Sequence, residues 1–202
     1  GENMILTMDI GNTNVKYGVF DGDKMIASWR VSTKASRTAG EYGMVLYDLL
    51  RQRGVNFEDI DACVMSSVAP ALNYTIEHMC NDYIGKSPLI VSCDTDTGIT
   101  LDYAQPTQLG TDRIVGAAAA YAIYGGPVIV VDFGSATTFN LVTKDGKFLG
   151  GAIAPGIKTA TESLVTTAAK LPRIELEKPQ NIVGRDTKSC MQSGIVYGYT
   201  GL

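Results

Sequence analysis

The feature that most constrains this fold is a repeat. One order of elements occurs twice: an apolar strand ending in aspartate, a turn of small polar residues, a second strand, an Asp-Gly turn and a third strand. The first copy runs Ile5-Leu-Thr-Met-Asp9, Gly11-Asn-Thr-Asn14, Val15 to Phe20, Asp21-Gly22 and Met25 to Val31. The second runs Val128-Ile-Val-Val-Asp132, Gly134-Ser-Ala-Thr137, Thr138 to Val142, Asp145-Gly146 and Phe148 to Ile153. Short β-rich segments joined by Asp-Gly turns are hairpin signals, and two copies of one plan predict two related halves.

Helical patterns surround these strands. Glu41 to Arg53 places Val45, Leu46, Leu49 and Leu50 at helical spacing and stops at Gly54. Pro70 opens a second helix over Ala71 to Tyr83, with Leu72, Ile76, Met79 and Tyr83 on one face. Further strands are expected at Ala62 to Met65 and Leu89 to Ser92, and further helices at Arg113 to Tyr124 and Ile157 to Ala169. The result is an α/β chain with mixed sheets covered by helices. The expected division is 4–118 and 119–202, with Gly125-Gly-Pro127 as the break. Two similar halves imply a cleft between them for a ligand.

Composition narrows the partners. The 202 residues carry a formal net charge of -4 and no run of Lys or Arg, which argues against nucleic acid and anionic membranes. The apolar stretch Met4 to Met8 ends at Asp9, too short for a signal peptide or a membrane span, so a cytoplasmic protein is expected. Gly1-Glu2-Asn3 ahead of Met4 reads as an added leader outside the fold. The four cysteines, Cys63, Cys80, Cys93 and Cys190, are widely spaced and read as buried free thiols. With His78 as the single histidine, no zinc-ligand spacing exists. His78 itself reads as an ordinary helix residue with no partner.

The chemistry lies in the turns. A tight turn of Gly, Asn, Ser and Thr after a strand can aim several backbone N–H groups and hydroxyls at one anion, and phosphate fits such a concavity. Asp9 at the strand tip could hold Mg2+ through water, and Lys16 could add a point charge to the same phosphate. These are not Walker or dinucleotide loops, because each turn leads into a strand rather than a helix. Taken singly, such turns mostly reverse the chain; two copies on matching hairpins point to function. Gly110-Thr-Asp-Arg113 opens the Ala-rich helix, where Asp112 reads either as a first-turn acid complementing the helix dipole or as a reactive group. Gly150-Gly-Ala-Ile-Ala-Pro-Gly156 reads as a connection or as backbone that lets a ligand approach closely.

In order and spacing these motifs resemble those of the type III pantothenate kinases, over nearly the whole chain from Met4. Asp9-Ile-Gly-Asn-Thr13 resembles the family's first phosphate motif, Leu109-Gly-Thr-Asp-Arg113 its substrate motif, and Asp132-Phe-Gly-Ser-Ala-Thr-Thr138 its second phosphate motif. Ser67-Val-Ala-Pro70, the Gly150 to Gly156 stretch and Ser193-Gly-Ile-Val-Tyr-Gly198 agree as well. The resemblance implies two ribonuclease H-like halves of the actin-like ATPase fold, with ATP and substrate in the cleft between them. It implies ATP-dependent phosphorylation of pantothenate to 4'-phosphopantothenate, the first step of coenzyme A synthesis, by a homodimer.

The same resemblance implies roles by position. Asp112 is the base, and Tyr103, Gly110, Thr111, Arg113 and Thr187 join it at the substrate. Asp9 and Thr13, with Thr137, face ATP; turn chemistry adds Gly11, Asn12, Asn14 and Lys16, with Gly134 and Ser135, as groups expected to hold its phosphates. Asp9 faces Mg2+, and Asp132 faces a monovalent cation, K+ or NH4+. Two departures stand out: Phe133-Gly134-Ser135 where the family commonly has Ala-Gly-Thr, and an end at Leu202 where relatives continue for some tens of residues. The absence of a last helix implies an exposed apolar surface. A nucleotide-binding regulatory or accessory protein without turnover, or another kinase or phosphatase of the superfamily, stays open at this level. The Tyr103 to Arg113 segment is what favours pantothenate kinase.

Overall fold

The computed structural model describes residues 3–202. Its opening strands are β1 (Met4–Ile10), β2 (Asn14–Asp21) and β3 (Lys24–Ser32), followed by helix α1 (Ala39–Arg51). β4 (Ala62–Ser67) leads to a 3-10 turn at Pro70–Leu72, helix α2 (Asn73–Met79) and a π-helical turn at Cys80–Ile84. β5 (Leu89–Ile90), β6 (Thr100–Leu101) and helix α3 (Thr111–Tyr124) come next. The second set of strands is β7 (Val128–Phe133), β8 (Ala136–Val142) and β9 (Lys147–Pro155), followed by helices α4 (Ile157–Thr167) and α5 (Thr187–Gly201).

β1 is central because its side chains alternate to suit burial: Leu6, Met8 and Ile10 point into the core. It pairs antiparallel with β2 and parallel with β4, within the order β3-β2-β1-β4-β5. α1 covers this sheet with Tyr42, Leu46 and Leu50. Its start is fixed by a capping box, in which the Thr38 hydroxyl accepts from the Glu41 N–H and the Glu41 carboxylate accepts from the Thr38 N–H. α2 adds Ile76 and Met79 to the same core. The single expected helix over 71–83 is therefore three short turns of different pitch, opened by Pro70 as read.

The second sheet has the order β6-β9-β8-β7. β6, which no sequence signal marks, pairs parallel with β9 through Thr100↔Lys147 and Leu101↔Phe148. By compactness the chain forms two units, one up to Val128 together with Leu141–Gly150, the other Ile129–Asn140 together with Gly151–Leu202. The mixed α/β class with two mixed sheets is as expected.

The thiols need a correction. All four are free, but only Cys63 and Cys80 are buried; Cys93 is half-buried and Cys190 is exposed on α5, against cysteine's general preference for the interior. A hydrogen bond to Cys63, then burial, raises the Cys80 thiol pKa. His78 also differs from its reading: it stacks on Tyr74 and approaches Asp82 at 3.4 Å, partners placed one helical turn to either side.

Candidate active site

In the first unit, the turn after β1 is closed by the Gly11 N–H donating to the Asn14 carbonyl at 2.9 Å. Thr33, just past β3, pins it from outside: its hydroxyl donates to the Gly11 carbonyl at 2.7 Å and its N–H to the Thr13 carbonyl at 2.9 Å. These bonds consume carbonyls and leave Asn12 and Thr13 exposed at the turn. Across the β1–β2 ladder Asp9 faces Lys16, and their side chains form an ion pair at 2.9 Å. Lys16 is thus held at the strand tip, its charge beside the carboxylate.

The Gly110 to Arg113 segment reaches the same sheet end. The Thr111 hydroxyl donates to the Ser67 carbonyl and accepts from the Ser67 N–H, both at 3.1 Å, and accepts from the Ser66 hydroxyl at 2.9 Å. Ser66 and Ser67 stand in parallel register beside Asp9 and Ile10. Thr111 therefore clasps the start of α3 to the tip of β4, the strand beside β1, which brings the Gly110 to Arg113 segment to the sheet end that carries Asp9. Asp112 lies in the first turn of α3, and its Oδ1 accepts from the Arg113 N–H at 2.8 Å. A Cβ on Gly110 would stand 2.5 Å from that Oδ1, so only glycine leaves the carboxylate its place.

Arg113 is buried, at 8% exposure, with its guanidinium 5.6 Å from the centroid of the Phe148 ring. Tyr103 meets the same ring edge-on at 6.0 Å. The Asp102 N–H donates to the Phe148 carbonyl at 3.0 Å, so Tyr103 leaves the β6–β9 pairing directly over this ring. Neither Phe148 nor Thr33 was singled out from sequence. β9's alternation marks Phe148 as a core residue and nothing more, and Thr33 acts only through a tertiary contact.

In the second unit, the Gly134 N–H donates to the Ala136 carbonyl at 3.0 Å. The Ser135 carbonyl accepts from the Gly156 N–H at 2.9 Å and from the Thr159 hydroxyl at 2.8 Å, which ties the turn to the start of α4. A Cβ on Gly156 would overlap the Gly134 carbonyl oxygen, so part of the glycine-rich stretch serves close packing on this turn. Thr137 is buried, whereas Asp132 and Phe133 are exposed at the tip of β7. Thr187 is exposed at the first position of α5, behind the Asp186 cap. The Asp186 carboxyl is held below its ordinary range by the Ser189 N–H and hydroxyl, as a cap should be. A groove of about 540 Å³ beside α5, lined by residues such as Leu164, Met191 and Tyr199, contains none of the expected site residues.

A model of the type III pantothenate kinase family matches residues 5–202. The chain belongs to that family. A type III pantothenate kinase of Brevibacillus brevis is 49% identical over 198 residues, covering 98% of this chain and 78% of the relative. One of Agathobacter rectalis is 48% identical over 198 residues, with 98% and 76% covered. A solved Campylobacter jejuni structure named for the Baf family of transcriptional activators superposes with a TM-score of 0.55 at 20% identity, covering 96% of this chain and 75% of that one. That likeness speaks to the fold alone. Within one unit of this family member, Thr111 joins the Gly110 to Arg113 segment to Ser66 and Ser67, which stand beside Asp9 and Ile10.

Proposed function

We propose that this chain phosphorylates pantothenate with ATP, and that Asp112 is the base. The carrying observation is the family membership, together with Asp112 and Arg113 at the start of a helix clasped to the tip of β4, beside the end of β1 that carries Asp9. The product is 4'-phosphopantothenate, which places the reaction first in coenzyme A synthesis. No observation favours a regulatory protein without turnover.

Phosphoryl transfer asks the protein mainly to position and to neutralise. The primary hydroxyl of pantothenate lies against Asp112, its proton passing to the carboxylate as the new O–P bond forms and the bond from the γ-phosphorus to ADP breaks. Because the hydroxyl loses its proton late in a loose transition state, an ordinary carboxylate serves. Arg113 and Tyr103 hold the acceptor, with Gly110 and Thr111 shaping the turn and Thr187 contributing from α5. Asn12, Thr13, Asn14 and the Gly11 backbone receive one phosphate group; Gly134, Ser135 and Thr137 receive another. Lys16 leaves Asp9 and turns its charge toward phosphate.

The donor chemistry at Asp9 suits Mg2+. Among the described residues no group of three or more His, Cys, Asp or Glu could cage a metal. A single carboxylate beside hydroxyls fits an ion held mostly by phosphate oxygens and water. Mg2+ there would neutralise charge developing on the phosphates. Asp132 supplies a hard oxygen next to a turn of backbone carbonyls, the kind of set that suits K+ or NH4+. Turnover should rise in K+ or NH4+ over Na+ at equal ionic strength, and equal rates would remove that cation from Asp132.

The halves 4–118 and 119–202, each contributing one phosphate turn, remain our division of labour. A cytoplasmic homodimer is the form we expect, checked by sedimentation. Among the described residues no helix is long and apolar enough to cross a membrane. The defining test is mass spectrometry of the products from MgATP and pantothenate. Phosphopantothenate with stoichiometric ADP is expected, and ADP without it would overturn the assignment.

A further inference from the structure

β9 presents two successive residues of one sheet face, Phe148 and Gly150, to the acceptor side chains. Phe148 is fully buried, yet its ring is shared by two groups that the preceding section places at the substrate: the Arg113 guanidinium at 5.6 Å and the Tyr103 ring at 6.0 Å, tilted 65°. Both distances fall within the range of attractive cation–π and edge-to-face contacts. Gly150 completes the surface. A Cβ there would lie 3.3 Å from Tyr103 Cε2, and its φ of +111° is a conformation that side-chain-bearing residues rarely adopt. The Tyr103 ring therefore rests on bare backbone at one position and on an aromatic edge two residues earlier.

We propose that Phe148 is a positioning residue for the acceptor: the Phe148–Gly150 face of β9 is a platform that sets the mutual orientation of Tyr103 and Arg113. Several elements converge to make it. The β6–β9 pairing delivers Tyr103, with the Asp102 N–H bonded to the carbonyl of Phe148 itself. The Thr111 clasp sets the start of α3 and so delivers Arg113. A buried guanidinium is expensive to misplace, because its charge has few alternative partners away from water. The Phe148 ring is one of the groups that hold it in place. Pantothenate, a carboxylate-bearing alcohol, is the kind of acceptor such an arginine recognises.

The inference rests on Tyr103 and Arg113 touching the acceptor, and the experiment separates the two ideas. Phe148→Leu and Phe148→Met keep the core filled but remove the ring. Each should raise KM for pantothenate about tenfold while KM for MgATP changes by less than about twofold. Gly150→Ala, which leaves the buried ring in place, should move the same constant in the same direction by displacing Tyr103. It carries the test if the Phe148 variants do not fold. Arg113→Lys is the control for the site: an unchanged pantothenate KM in that variant would overturn the acceptor assignment. If Arg113→Lys raises that KM but the folded Phe148 and Gly150 variants do not, the platform is wrong and the site stands. Equal rises in both Michaelis constants would also overturn the platform, since general loosening of the fold would account for them.

Discussion

Two neighbours constrain the Asp112 carboxylate. Gly110 leaves room for its carboxylate, and the Arg113 N–H fixes one of its oxygens at 2.8 Å. Gly110→Ala should therefore lower kcat on the order of tenfold to a hundredfold, because small displacements of a positioned group are that costly. The Thr111 hydroxyl would still clasp β4, so the melting temperature should move little. Comparing kcat with the thermal melt checks this; a parallel loss of both would assign Gly110 to stability. Asp112 also sits where an acid merely complementing the helix dipole would sit, so its helix position alone does not reveal a reaction. What separates the two readings is its company: a buried arginine, an aromatic shelf and the Asp9 strand tip reached through Ser66 and Thr111.

Among the elements, α1 shows how much the sequence declares. The burial of Leu46 and Leu50 follows from helical periodicity, while the capping box of Thr38 and Glu41 that sets the start was not read from the sequence. Thr38→Ala should cost about 1 kcal/mol by chemical denaturation. The Glu41 carboxyl is held below its ordinary value, first by the Thr38 N–H and then by its hydroxyl. A depressed carboxyl stabilises above its ordinary range and loses that contribution as the pH falls through its folded value. The stability gap between wild type and Glu41→Gln should thus be full at neutral pH and close in acid, as followed by urea melts across pH. β1 to β4 were equally legible, because alternation and Asp-Gly turns are local signals. β6 was not. Two residues have no periodicity, and Thr100 and Leu101 are a strand only because β9 offers a parallel partner. The meeting of Tyr103, Phe148 and Arg113 was hidden for the same reason, as were Thr33 and Thr159 on the two repeated turns.

Across the whole molecule the repeat is real in order and unequal in burial. Leu6, Met8 and Ile10 on β1 are 0%, 3% and 0% exposed, whereas Ile129, Val131 and Phe133, at the same places before and after Asp132, are 65%, 41% and 78% exposed. β1 lies inside its sheet, while β7 ends its sheet order among the described residues. An anilinonaphthalene sulfonate dye should therefore fluoresce on the native chain, and Ile129→Lys with Val131→Lys should weaken that signal with little change in melting temperature. A dark native state would contradict the exposed face. The two repeated turns differ in kind as well: the first pairs its aspartate with Lys16, and the second is braced by Gly156 and Thr159. In the reading proposed above, specificity for pantothenate rests on neither turn but on Gly110 to Arg113 and its aromatic support. The most direct measurement is the initial rate of ADP formation from MgATP with and without pantothenate, for the wild type and for Asp112→Asn. Pantothenate should stimulate the wild-type rate, and the folded variant should lose on the order of a hundredfold or more. ADP release indifferent to pantothenate, or full activity in Asp112→Asn, would contradict the assignment.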